Sequence, residues 1–125
     1  MALLEGDWKV TALVGDDGSS VLKGRYANKL RMRFSAGRMT GTTGCNSIFA
    51  GYTRSGASGS DLTFSYDYGS TTAYCRDDEA DVKLRDLLQE VRHVGEADGI
   101  VYLMAENGAT IAALEPSEPH KPYWP

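Results

Sequence analysis

The residues that could form a thiol–imidazole catalytic pair in this 125-residue sequence are Cys45, Cys75, His93 and His120. A thiol attacks as its thiolate and needs a base within hydrogen-bond reach. The bases on offer are His93, which the sequence places on the last turn of a helix, and His120, in a proline-rich tail. A lone histidine near a helix C-terminus is most often a solvated residue that the helix dipole favours. A small cysteine at a bend is most often a buried structural hydrophobe. No catalytic residue is therefore assigned, and the chain is read as a non-enzyme. The spacing of Cys45 and Cys75 matches no zinc pattern, and a site built from Cys45, Cys75 and His93 is not expected. Asp77, Asp78, Glu79 and Asp81 lack the alternating ligands and central glycine of a calcium loop, and suit a helix start instead. No metal and no cofactor are expected.

Charge offers binding rather than catalysis. No acidic residue lies between Gly18 and Ser60, where Lys23, Arg25, Lys29, Arg31, Arg33, Arg38 and Arg54 fall. From Asp61 to Glu118 there are thirteen acids against Arg76, Lys83, Arg85 and Arg92. The two halves should attract each other or attract different partners. Lys29, Arg31 and Arg33 alternate with Leu30, Met32 and Phe34, so a strand here shows a basic face outward and an apolar face inward. That row could hold an acidic protein or acidic lipid headgroups; it could equally be a solvated face that guards against edge-to-edge pairing. Nucleic acid is excluded as a partner by the net charge of −4 and by the lack of aromatics interleaved with the basic row.

The elements that must position these residues follow from periodicity. Trp8, Val10, Ala12 and Val14 alternate as one face of an opening strand. A short strand is expected around Val21 and Leu22. Ser35-Ala36-Gly37 reads as a hairpin turn, and Gly41 to Tyr52 as a strand that bends at Gly44-Cys45-Asn46 and runs out again, with Ile48, Phe49 and Tyr52 supplying bulk. Arg54 to Ser60 is read as a loop, and Leu62, Phe64 and Tyr66 alternate in the next strand. Leu84, Leu87, Leu88 and Val91 recur at helical spacing, predicting one helix over about 78–93, capped by Asp77 or Asp78 and stopped by Gly95. Glu106-Asn107-Gly108 predicts a type I′ hairpin closing the fold. About five strands, one helix and that hairpin, joined by short turns, give a mainly β protein with α+β character: a strongly twisted antiparallel sheet coiled into an incomplete barrel and closed by the helix. The core is expected to be Trp8, Leu30, Met32, Phe34, Phe49, Phe64, Leu84, Leu87, Leu88 and Val91. The chain length suits one domain, 1–115, followed by a tail, 116–125, with proline at every third position.

The ordered combination of Trp8, the basic strand to Phe34, Gly44-Cys45-Asn46, Thr71-Thr72-Ala73-Tyr74-Cys75, the acidic-capped helix and the Leu103/Leu114 hairpin resembles the META domain of the HslJ-like family. The resemblance covers roughly residues 4–115 and implies a small antiparallel β architecture similar to an incomplete lipocalin-like barrel. It makes Trp8, Gly44, Cys45, Asn46, Thr71, Thr72 and Cys75 structural motif positions. Cys45 and Cys75 are then expected to lie close in space, as a disulfide or as two thiols according to compartment. Members of the family occur as bacterial envelope or stress-related proteins and as virulence-associated proteins of trypanosomatid parasites, with no established catalytic activity.

Together these readings predict a monomeric, non-enzymatic protein acting through an unidentified protein partner, in secretion, stress response or virulence. The runner-up is a carrier of a lipid or small hydrophobic ligand inside the half-barrel, and the third is a Cys-dependent redox protein. The opening Met1-Ala2-Leu3-Leu4 is too short an apolar run for a signal peptide or transmembrane helix. A cytoplasmic location is expected, or an envelope one if a leader has been removed. Expected binding residues are Lys29, Arg31, Arg33, Tyr123 and Trp124, the last two because an aromatic pair is costly to leave in water. If the tail straps across the domain, deleting residues 117–125 should raise binding of a hydrophobic dye. Unchanged dye binding and stability, with Trp124 fluorescing as a solvated indole, would show that it does not.

Overall fold

The computed structural model describes residues 4–14, 29–43, 46–56, 59–65, 69–70 and 79–117. Their strands are β1 (Gly6–Leu13), β2 (Arg31–Ser35), β3 (Arg38–Thr42), β4 (Ser47–Ser55), β5 (Asp61–Phe64), β6 (Gly69–Ser70), β7 (His93–Ala97), β8 (Ile100–Met104) and β9 (Thr110–Pro116), with one helix, α1 (Glu79–Glu90), between β6 and β7. The antiparallel order β3-β2-β1-β9-β8-β7-β5-β4 returns from β4 to β3, so eight strands form a ring and β6 adds a short pairing on β4. The mainly β, helix-closed barrel is thus as expected, except that the ring is closed rather than incomplete. Its thinnest seam is β5–β7, where Asp61 opposite His93 is the one paired position. Two backbone bonds of 2.9 Å, Leu62 N–H to the Arg92 carbonyl and Val94 N–H to the Ser60 carbonyl, hold that seam.

The extra strands come from turns that the sequence announces only faintly. Asp98 and Gly99 both have positive φ, 54° and 80°, and join β7 to β8 as a two-residue loop of the primed kind that matches sheet twist. Ala36 and Gly37 do the same between β2 and β3, at 52° and 79°, and the Glu5 carboxylate accepts the Ala36 N–H at 3.1 Å. The Asn107-Gly108 turn is different from expectation. Only Gly108 has positive φ, and its N–H donates to the Ala105 carbonyl while Ala105 N–H donates to that of Ala109. That is a three-residue loop with a glycine bulge, not a type I′ turn.

Within the described residues the helix is Glu79–Glu90, ending before residue 93, and Gly95 does not stop it. Val91 N–H still bonds the Leu87 carbonyl, but the Arg92 guanidinium then takes the carbonyls of Gln89 and Val91 at 2.9 and 2.8 Å. With those orphan groups satisfied by a side chain, no capping glycine is needed and the chain enters β7 at once. His93 and Gly95 are therefore strand residues. The proposed caps, Asp77 and Asp78, lie outside the described residues, as do the strand expected at Val21 and Leu22 and Tyr66.

Helix α1 packs against β1 and β5, which stand opposite one another in the eight-strand ring, so it crosses the barrel opening. Leu84, Leu87, Leu88 and Val91 enter a core with Leu30, Met32, Phe34, Met39, Ile48, Leu62, Val101, Leu103 and Leu114. Phe34 meets the Tyr52 ring edge-on at 5.2 Å and Phe64 at 6.2 Å. Trp8 is buried with its indole N–H donated to the Leu4 carbonyl at 2.6 Å. In β1 the expected alternation breaks at a bulge between Val10 and Ala12, which turns Leu13 inward in place of Ala12 and Val14. One expected core residue is not there: Phe49 is 43% exposed. Neighbours on a strand point to opposite faces, so with Ile48 and Ala50 buried Phe49 must point out. Leu87→Ala should therefore lower unfolding free energy by about 2–5 kcal/mol. Phe49→Ser should cost about 1 kcal/mol or less, both read from urea midpoints at constant slope.

Candidate basic and aromatic groove

The outward face of β1 to β4 carries two rows of side chains fixed by strand register. Asp7, Arg33, Thr40 and Phe49 stand opposite one another across the four strands, and Lys9, Arg31, Thr42 and Ser47 form the row beside them. A cavity of about 410 Å³ lies over this face, lined by Asp7, Arg31, Arg33, Thr40, Ser47 and Phe49 and also by Ser117. Its size falls within the roughly 300–1,000 Å³ usual for ligand sites. Arg31 and Arg33 and the hydroxyl residues Thr40, Thr42, Ser47 and Ser117 share that lining with the exposed ring of Phe49 and one carboxylate, Asp7.

Arg33 is held loosely. Its Nε lies 3.9 Å from Asp7 Oδ1, and the two side chains are 57% and 22% exposed. A pair this open contributes about 0–1 kcal/mol, so the guanidinium can turn to a partner at little cost. Arg31 is half-buried and donates from Nη1 to the Leu30 carbonyl at 3.1 Å, which aims its stem along the sheet. Lys29 is exposed one residue before Leu30, outside β2, and does not line the cavity. Of the basic row expected from alternation, Arg31 and Arg33 line the cavity.

Phe49 enters the groove because of the corner before it. Thr43 and Asn46 are both buried. Asn46 N–H donates to Thr43 Oγ1 at 2.8 Å, and Thr43 N–H donates to the Asn46 carbonyl at 2.8 Å, folding β3 back on β4. Under the groove β2 and β3 approach closely: a Cβ on Gly41 would stand 2.5 Å from the Arg31 carbonyl oxygen. Glycine is needed here for closeness rather than for an unusual φ. On the inner side of the same strands, burial, and after it the Glu5 carboxylate, raises the Tyr52 phenol above its ordinary range.

His93, considered from sequence as a base, sits across the β5–β7 seam with Nδ1 3.0 Å from Asp61 Oδ1. Both side chains are partly exposed, and the pair ties the seam, outside the lining of the groove. Asn46 and Trp8 are both buried. Gly44, Cys45, Thr71, Thr72, Cys75, Tyr123 and Trp124 lie outside the described residues, so the two cysteines and the aromatic tail are not among the groups placed here.

A family model described as the META domain matches residues 1–118. The fold is similar to that of a protein from Burkholderia xenovorans solved by NMR, with TM-score 0.68 and 19% identity over 91% of this chain and 83% of that one. It is also similar to a crystal structure of a DUF4847 family protein from Bacteroides vulgatus, with TM-score 0.64 and 11% identity over 94% and 96% of the two chains. No curated protein matches the chain. At these identities the two structures establish likeness of fold alone. Thr43→Val, which keeps the shape of the corner and removes the acceptor of Asn46 N–H, should destabilise the protein by about 1–3 kcal/mol. Thermal or urea unfolding checks this, and an unchanged midpoint would show that the corner is held by other means.

Proposed function

The chain belongs to the META-domain family, and from that premise we propose that it works without catalysis, as a binding protein that engages another protein through the outer face of β1 to β4. The observation that carries this is Phe49. Among the described residues it is the one large hydrophobic side chain that is exposed, and it shares a cavity with Arg31 and Arg33. Aromatic and arginine side chains in partly enclosed positions are the usual anchors of protein interfaces. The exposed Thr40, between Phe49 and Arg33 on the same row, adds a hydroxyl that can make a directional bond beside them.

The runner-up, carriage of a hydrophobic ligand inside the barrel, has less support. The inner positions are filled by Met32, Phe34, Met39, Leu62, Leu103 and Leu114, all nearly inaccessible, and the helix lays four more apolar side chains across the opening. A ligand there would have to displace close-packed side chains, each worth about 1.5–3 kcal/mol of burial. The outer groove asks for no such rearrangement.

A photo-crosslinking residue at position 49, with position 106 on the Glu106–Gly108 turn as the control, tests the reading in cells that make the protein. A discrete adduct with another protein is expected from position 49 alone, and Arg31→Glu/Arg33→Glu should remove it. The same adducts from both positions, or none from position 49, would overturn protein binding through this face.

A further inference from the structure

Resting on that reading of the groove, we infer that its resident occupant is the chain's own C-terminal segment, 118–125. It lies along the groove from Ser117 with Tyr123 and Trp124 against the Phe49 ring, and a partner binds by displacing it. The point of departure is fixed by β9. Trp8 stands opposite Pro116, and Ser117 N–H donates to the Asp7 carbonyl at 2.9 Å, so the pairing of β9 with β1 runs one residue past the strand and sets Ser117 beside Asp7. Ser117 thus extends the row of Asp7, Arg33, Thr40 and Phe49 at its near end, and it lines the same cavity as Phe49 at the far end. The chain passes into residues 118–125 from inside the groove.

The reach fits. From Ser117 to Phe49 the row passes from β9 across β1, β2 and β3 to β4, four strand spacings, or about 19 Å at roughly 4.8 Å each. The sequence after Ser117 is Glu-Pro-His-Lys-Pro-Tyr-Trp-Pro, with proline at 119, 122 and 125. Proline at every third place favours polyproline II, which rises about 3.1 Å per residue. Tyr123 and Trp124 follow Ser117 by six and seven residues, so along such a backbone they stand about 19 and 22 Å from it. The aromatic pair arrives at the exposed ring. A polyproline-II segment keeps its backbone groups solvated and asks for no strand edge, which suits a groove walled by side chains with an aromatic ring among them.

The tether decides for this occupant over a free one. A group held on a short linker meets its site at an effective concentration in the millimolar range, so a contact too weak to form between separate molecules is populated within one chain. The attraction comes from removing the faces of Phe49, Tyr123 and Trp124 from water and from ring-to-ring packing. It asks nothing of the guanidiniums, whose own bonds stay as they are. A partner then competes with the strap, and its apparent affinity falls by the fraction of molecules whose groove is open.

The test places photo-reactive benzoylphenylalanine at position 49 of the purified full chain, and in a second protein at position 9. Lys9 is exposed on β1 opposite Glu115, nearer to Ser117 than Phe49 is, and does not line the cavity. Linked residues are mapped by mass spectrometry. Links to residues 122–125 of the same chain should form from position 49 at several times the yield from position 9, and Tyr123→Ala/Trp124→Ala should lower the yield from position 49 severalfold. A segment moving freely on its tether would favour the nearer position 9, so equal yields or a preference for position 9 overturn the inference, as does no link from either. A link between two chains, at the mass of a dimer, overturns it in favour of a second copy as the source of the segment. In cells, Tyr123→Ala/Trp124→Ala should raise severalfold the adduct that position 49 forms with another protein, and an unchanged adduct overturns the strap as a competitor. A self-link with no such adduct in either background supports the strap and counts against protein binding through this face. An adduct without a self-link overturns the strap and leaves protein binding standing.

Discussion

The fold depends on one constraint, the return of β3 onto β4. Those strands pair from Arg38 opposite Gly51 to Thr42 opposite Ser47, and without that ladder the ring would be an open sheet with β3 and β4 as bare edges. Open edges invite pairing with other chains, and closure removes them. The reversal is made by two short backbone-level devices: the reciprocal bonds of Thr43 and Asn46, and the absence of a Cβ at Gly41 where β2 presses closest. Each would be costly to disturb: Thr43 and Asn46 are buried, so an unmet polar group there has no water to turn to, and a methyl on Gly41 would meet the Arg31 carbonyl oxygen at 2.5 Å.

Closure also decides where function can lie. A ring of eight strands has an interior just wide enough for side chains, and here those side chains fill it. The helix then crosses between β1 and β5 and adds its own apolar stripe from above. The groove proposed for binding accordingly lies on the outer wall. There the strand register arranges its side chains in rows, and the register in turn is fixed by the corner that closes the ring.

Much of this was legible in the sequence, and the failures share a physical cause. The inward stripe Leu30, Met32 and Phe34 and the helix stripe from Leu84 to Val91 could be read because periodicity is a one-dimensional signal. Phe49 was misread as core because bulk near a predicted bend was counted without asking which face it occupied; a strict period of two from Ile48 and Ala50 would have placed it outside. In β1 the same strictness would have failed, since the bulge after Val10 shifts the phase and depends on pairing with β9. Strand β7 was missed because the helix ends on a side chain, Arg92, which takes the carbonyls of Gln89 and Val91, so no capping glycine marks the stop. The Asp98-Gly99 turn was visible in principle but was hidden by reading Gly95 as a helix end.

The site was legible as charge and illegible as shape. Alternation gave Arg31 and Arg33 their outward direction, and the acid-free run from 18 to 60 gave the face its sign. Neither could show that a single aromatic ring joins them, because Phe49 comes to Arg33 through two interstrand registers and not through sequence proximity. That difference changes the chemistry of the face. Alone, an exposed basic row is what any edge-guarding, solvated strand shows, and its charges are screened within about 10 Å at moderate salt. Beside an exposed ring in a concavity, the same charges act where water is partly displaced and contacts are directional. In the proposed reading one outward phenylalanine turns the basic row into a contact surface, and its outward direction is set by the strand register that closes the barrel.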